Sequence, residues 1–187
     1  LSSPFAGLNS VFLIGGGDLM LHAARAFQKH QLEVVAVFAP RHADEILPID
    51  GRRTRDAFHE QGVTIKIVER MLPDGAWTEF LTDPGRTVAL CFGPAWIFSD
   101  SVRSRFGLGM YNFNGIPIPR FLGGAHYTWQ ILCGDRTGGC VLQRITEEVD
   151  RGDILRAEYF NLPEDVRVPL DYFRANLAKG REFIDRL

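Results

Sequence analysis

Apolar residues recur along this chain with two different periods. Ser10-Val11-Phe12-Leu13-Ile14 is a short apolar run closed by Gly15-Gly16-Gly17, and from Leu19 to Phe27 apolar residues recur at helical spacing. Strand, glycine turn and helix are therefore predicted in that order. Leu32 to Phe38, rich in β-branched residues, reads as a second buried strand, parallel to the first through the crossover helix. Arg52 to Gln61 predicts a helix, Val63 to Val68 a strand, Ala76 to Leu81 a helix and Thr87 to Phe92 another buried strand. Met110 to Phe113, Val141 to Ile145 and Arg156 to Asn161 predict three more strands. An amphipathic helix is predicted over His126 to Cys133, and a closing helix over Leu170 to Leu187. This alternation predicts an α/β fold: a Rossmann-like, doubly wound, mostly parallel sheet with helices on both faces and an antiparallel final hairpin.

At 187 residues the chain is long enough for one domain with a full core and too short for two substantial ones. One domain over 1–187 is expected, with no repeat or linker. Residues 1–9 are read as a tail, and the start at Leu1 is compatible with excision from a longer protein. A net charge of -2 gives no broad basic field, so neither nucleic acid nor an acidic membrane is the expected partner. Cys91, Cys133 and Cys140 lack CxxC spacing, which argues against a disulfide framework and a zinc site. No metal is expected. No stretch has the apolar length of a membrane span and the N-terminus has no signal-peptide pattern, so a cytoplasmic protein is expected.

The most informative residues are the run Tyr111-Asn112-Phe113-Asn114-Gly115-Ile116-Pro117-Ile118-Pro119-Arg120-Phe121-Leu122-Gly123-Gly124 and, further on, Glu148-Val149-Asp150-Arg151-Gly152-Asp153-Ile154-Leu155. Together they resemble the signature of the folate-dependent formyltransferases, the family of glycinamide ribonucleotide, methionyl-tRNA and amino-sugar formyltransferases. The first asparagine, the Pro-Arg pair, the glycine and the DRGDIL stretch all stand, whereas the family histidine is replaced by Asn114. Thr137-Gly138-Gly139 lies between the two blocks, where the family reads TGV. The joint match is specific; each piece alone is not, since asparagine pairs are common in turns. The resemblance runs from about Val11 to the last helix and implies the formyltransferase fold.

Formyl transfer from a folate nitrogen to an amine needs an unprotonated amine, donors for the oxyanion and a proton for the departing nitrogen. The resemblance implies Asn112 as an oxyanion donor, Asn114 at the histidine position and Asp150 as the proton-handling carboxylate. An asparagine amide donates hydrogen bonds but does not titrate, so acid/base work cannot pass through Asn114. His126, where the family commonly carries proline, is a candidate for that work, set against a packing role at the start of a helix. His22, His30, His42 and His59 are read as surface residues.

The resemblance further implies 10-formyltetrahydrofolate as formyl donor, held by Pro94, Trp96 and Ile97 in the Cys91 to Phe98 segment. The loop Ile145-Thr146-Glu147-Glu148-Val149-Asp150 would read the pterin edge with its main chain, Thr146, Glu147, Glu148 and Val149 being its binding candidates. Core packing is an equal reading for Trp96, Ile97 and Phe98. Arg120 and Arg151 are candidates for an acidic acceptor or the folate tail, against solvation as the plainer account. Gly15-Gly16-Gly17 is read first as a tight turn and second as a phosphate cradle, because Asp18 follows where a phosphate would be repelled. Methionyl-tRNA formyltransferases carry a further C-terminal domain not present in these residues. A small-molecule amine, an amino-sugar nucleotide or an aminoacyl group on a carrier is therefore the expected acceptor. The alternatives are a degenerate folate-binding or carrier-docking domain and a formyltetrahydrofolate hydrolase.

Overall fold

The structure is a computed structural model that describes Phe5, residues 7–122 and residues 125–187; Gly123 and Gly124 of the signature lie outside them. Seven strands form one sheet: β1 (Ser10–Gly15), β2 (Glu33–Phe38), β3 (Thr64–Ile67), β4 (Thr87–Phe92), β5 (Met110–Asn114), β6 (Thr137–Arg144) and β7 (Ile154–Asn161). Their order is β3-β2-β1-β4-β5-β6-β7. The first five are mutually parallel, and β6 runs antiparallel to both β5 and β7. This is the predicted doubly wound sheet. The chain leaves β1 towards one edge and returns to β4 on its other side, so a crevice opens beyond the carboxyl ends of β1 and β4.

The central strands β1 and β4 are buried at every residue, as their unbroken apolar runs require. One face, carrying Val11, Leu13, Ala36, Leu90 and Phe113, is covered by α1 (Asp18–Lys29), α3 (Thr54–Glu60) and α6 (Pro169–Ile184). The opposite face, carrying Phe12, Ile14, Val35, Val37 and Cys91, is covered by shorter elements and an aromatic cluster. Trp77 stacks on Phe106 with centroids 5.5 Å apart and meets Phe12 edge-on. Helices thus lie on both faces, with the long ones gathered on one.

Several boundaries differ from the sequence reading. Ala76–Phe80 is a 310 turn rather than an α-helix, wound tightly by Trp77 Nε1 donating to the Leu72 carbonyl (2.9 Å) and Thr78 Oγ1 to that of Gly75 (2.8 Å). Strand β6 starts at Thr137, four residues before the predicted Val141, because Gly138 and Gly139 make room for the Phe160 ring and the Pro117 backbone instead of breaking the strand. Two helices too short to show periodicity, α2 (Pro40–Asp44) and α4 (Asp100–Arg103), were not predicted; α5 (His126–Leu132) was. Part of the expected tail belongs to the folded body: Phe5 meets Tyr111 edge-on at 5.7 Å, and Arg86 Nε donates to the Gly7 carbonyl at 2.7 Å.

The glycine turn after β1 is set by a close approach. Gly15 has φ +130, and a β-carbon there would lie 2.1 Å from the Phe92 carbonyl oxygen. The backbone of β1 thereby joins that of β4, with Gly16 N donating to the same oxygen at 3.1 Å. No helix among the described residues is long and apolar enough to cross a membrane.

Trp77 is fully buried and fills the centre of the short-helix face. Trp77→Ala is expected to lower the unfolding free energy by about 3–5 kcal/mol, read from the midpoint shift in urea denaturation.

Candidate functional site

Strand β5 separates two cavities because its side chains alternate. Asn112 lies in the wall of a cavity of about 310 Å³, while Phe113 and Gly115 line a second of about 340 Å³. Phe92 and Gly93 belong to the second cavity and Pro94 to the first, so the two adjoin at the carboxyl ends of β4 and β5. Asn114 lies two residues beyond Asn112 and shares its face of the strand. Asn112 Nδ2 donates to Asn114 Oδ1 at 2.9 Å. Asn112 Oδ1 and Asn114 Nδ2 are buried with no hydrogen-bond partner among the described residues. The pair therefore offers one free acceptor and one free donor, and turning both amides over preserves the bond while exchanging those roles. Each unmatched buried group costs about 1–3 kcal/mol, which a bound carbonyl oxygen and N–H would offset.

The loop closing the first cavity is fixed by β6. Gln143 stands opposite Asn112 in the β5–β6 register, and its Nε2 donates to the Gly152 carbonyl at 2.8 Å. Arg144 N donates to the Asp153 carbonyl at 2.8 Å. A β-carbon on Gly152 would fall 1.9 Å from the Arg144 carbonyl oxygen, so the glycine of DRGDIL is demanded by close backbone approach. A register shift between β6 and β7 at Leu142/Gln143 lies beside this closure. Within the loop, Thr146 Oγ1 donates to the Glu148 carbonyl at 3.1 Å, and Asp150 turns the chain with φ +55.

Most of the sequence-predicted residues come together. Pro94, Trp96, Ile97, Thr146, Glu148, Val149, Asn112 and Asp150 line one cavity. Asn114 joins them through Asn112, whereas Glu147 of the same loop does not line the cavity. Ile97 is 78% exposed and Val149 64% exposed, so both are apolar walls of an open site rather than core residues. Phe98 is core, at 4%. Trp96 is anchored at the rim, its Nε1 donating to the Glu69 carbonyl at 3.0 Å. Arg120 pairs with Asp135 at 2.8 Å, and neither it nor Arg151 lines either cavity. Gln143 and Arg144 were missed. Only the pairing register of β5 with β6, which spacing along the chain does not reveal, would have singled them out.

The second cavity sits in the crevice between β1 and β4. Asp18, at the first turn of α1, is 5% exposed and accepts hydrogen bonds from the backbone N–H groups of Ile49 (3.2 and 3.3 Å) and Asp50 (2.9 Å). His126 also lines this cavity, its ring 4.2 Å from that of Tyr127, whose hydroxyl donates to the Gly115 carbonyl at 3.1 Å. His42, read from the sequence as a surface residue, is half-buried against the glycine turn, 3.3 Å from where a Gly16 β-carbon would stand. Among the described residues no group of three or more His, Cys, Asp or Glu side chains is placed to hold a metal ion.

The sheet order and the crevice at its reversal define a doubly wound, Rossmann-like α/β domain. No protein-family model matches the chain. Over 142 residues it is 31% identical to a methionyl-tRNA formyltransferase of Treponema pallidum, covering 76% of this chain and 37% of that protein. Over 164 residues it is 23% identical to a methionyl-tRNA formyltransferase of Rhodopseudomonas palustris, covering 86% of this chain and 52% of that protein. The chain thus spans about half the length, or less, of these curated relatives. Among solved structures, glycinamide ribonucleotide transformylase 1 from Symbiobacterium toebii aligns with a TM-score of 0.73 at 15% identity, over 96% of this chain and 85% of that one. An N-formyltransferase from Helicobacter canadensis aligns with a TM-score of 0.73 at 12% identity, over 96% and 62%. Together the sequence relatives and structural neighbours support a formyltransferase-family domain, and the fold is the formyltransferase fold.

Burial, and then the charge of Arg41, lowers the pKa of His42. A lowered folded-state value means that the unfolded chain binds the proton more readily. The associated stability is full above the imidazole's ordinary value of about 6.5 and is lost as pH falls below it. His42→Gln is expected to flatten the fall in unfolding free energy between pH 7.5 and pH 5, measured by urea denaturation at each pH.

Proposed function

We propose that this domain transfers a formyl group from 10-formyltetrahydrofolate to the amine of a small-molecule or carrier-bound acceptor. The observation that carries the reading is the half-buried Asn112–Asn114 pair, with its unmatched donor and acceptor, where the two cavities adjoin. The first cavity fits the donor's pterin end. Its volume of about 310 Å³ stands at the lower end of the usual range for small-molecule sites, about 300–1,000 Å³. Ile97 and Val149 give it apolar walls, and the turn at Thr146 to Asp150 brings main-chain polar groups to its edge. The Helicobacter canadensis neighbour is a complex with folinic acid and dTDP-3-aminofucose, and a further neighbour, the sugar 3N-formyltransferase WlaRD, was crystallised with dTDP and 5-N-formyl-THF. Both support a folate-type ligand for the corresponding cavity here.

The bound donor supplies the formyl carbon and a nitrogen leaving group. The acceptor amine's lone pair forms the new C–N bond as the bond from formyl carbon to folate nitrogen breaks. The proton lost by the amine ends on that nitrogen, giving the formamide and tetrahydrofolate. The free N–H of the Asn112–Asn114 pair stabilises charge on the formyl oxygen, and the bond between the two amides holds it in place, work that needs a donor but no titration. Asp150 handles the proton on the folate side, and His126 is the imidazole on the acceptor side. One observation favours a second reading, folate binding without turnover: the amide at position 114 cannot carry a proton. Hydrolysis to formate would follow if water took the place of the amine.

The test is tetrahydrofolate release with mixed amine acceptors, beside calorimetric titration with 10-formyltetrahydrofolate. Acceptor-dependent release is expected, with Asn112→Ala reducing kcat by about 10²–10³-fold. Asn114→His is expected to raise transfer at least about tenfold, within the range that acid/base help supplies. Binding without release under any acceptor would favour the second reading, and acceptor-independent release the hydrolase. Absence of folate binding would sink all three.

A further inference from the structure

Resting on the transfer reading above, we propose that the second cavity selects an amine borne on an apolar, phosphate-free body, such as an aromatic or branched aliphatic aminoacyl group. The first turn of α1 is where unpaired backbone N–H groups would otherwise attract an anion. Here the first helical residue is itself a carboxylate, Asp18. Asp18 is buried, carries its charge into the cavity wall and is held by the N–H groups of Ile49 and Asp50, so its carboxylate cannot swing aside for an incoming phosphate. Glu45 adds a second carboxylate to the same wall, and no Lys or Arg side chain is among the described residues that line it. A phosphate entering this cavity would meet two carboxylates set against the single imidazole of His126, in surroundings less screened than water.

The remaining walls are of the opposite character. Leu19 from α1, Phe113 from β5, and Phe173 and Leu177 from α6 converge on the cavity, and Tyr127 closes it with a hydroxyl already committed to the Gly115 carbonyl. An acceptor that buries a hydrocarbon side chain against these residues gains from leaving water. Its amine enters as an ammonium drawn by the two carboxylates beside the glycine turn, and gives up that proton before its lone pair attacks. Phosphate-free apolar amines satisfy both features of the cavity; nucleotide-linked amines satisfy neither.

The test compares initial rates with saturating 10-formyltetrahydrofolate for L-phenylalaninamide and O-phospho-L-tyrosinamide, which differ chiefly by the phosphate. At least about tenfold higher kcat/KM is expected for the first, equivalent to about 1.4 kcal/mol. Glu45 is exposed, so Glu45→Lys leaves the core intact and is expected to erase or reverse that preference. Equal or better use of the phosphorylated amide would overturn the proposal while leaving formyl transfer standing. If the donor binds but neither these amides nor the mixed acceptors release tetrahydrofolate, the transfer reading fails and titration calorimetry without donor decides the cavity. Phenylalaninamide binding weakened by Glu45→Lys would sustain the assignment, and no binding, or tighter binding of inorganic phosphate, would overturn it.

Discussion

Side-chain alternation along β5 is the constraint on which the site depends. With a period of two, Asn112 and Asn114 face one side of the sheet and Phe113 the other. A slip of one residue in the pairing of β5 with β4 or β6 would exchange those faces, placing an amide in the apolar cavity and a phenyl ring among the polar groups. Antiparallel pairing with β6 holds that register and carries it outward. Asn112 faces Gln143, Gln143 holds the Gly152 carbonyl, and Gly152 lets the returning chain touch Arg144. A polar dyad in the sheet and a loop remote in sequence are thereby held in one rigid relation.

The two faces of the sheet are built differently, and each suits its cavity. On the face of the second cavity, α1 and α6 pack against each other and against the sheet, so Leu19 and Leu177 are presented from long helices. On the other face the cover is an aromatic cluster joined by short turns, and Pro94, Trp96 and Ile97 leave it as an open rim. Small-molecule sites need apolar walls with a few fixed polar groups. The sheet supplies the fixed groups, while the rim and loop supply walls that a ligand can cover.

Much of the fold was legible in the chain. The unbroken apolar runs of β1, β2 and β4, separated by glycine turns and helical periodicity, fix a parallel sheet, and both signature blocks contribute to the wall of the first cavity. Illegible were the features set by contact rather than by local pattern. Gly138 and Gly139 resemble a turn, yet they are strand residues thinned to admit Phe160 and Pro117. Trp77 sits in a five-residue stretch too short for its winding to be told from spacing. His42 looks polar and exposed beside Arg41, but the fold brings it under the glycine turn. The second cavity draws residues from α1, β4, β5, α5 and α6, and no single stretch of chain could have disclosed it.

The hydrogen-bonded amides of β5 also bear on the electrical character of this end of the sheet. A histidine there would gain and lose a unit of charge across the neutral range, and every neighbouring carboxylate would feel it. Two amides remain dipoles at any pH, so the charges in the cavity wall are those of Arg144 on β6 and of Glu148 and Asp150 in its loop. That loop can be retuned, one carboxylate at a time, without disturbing the strand that bears the dyad.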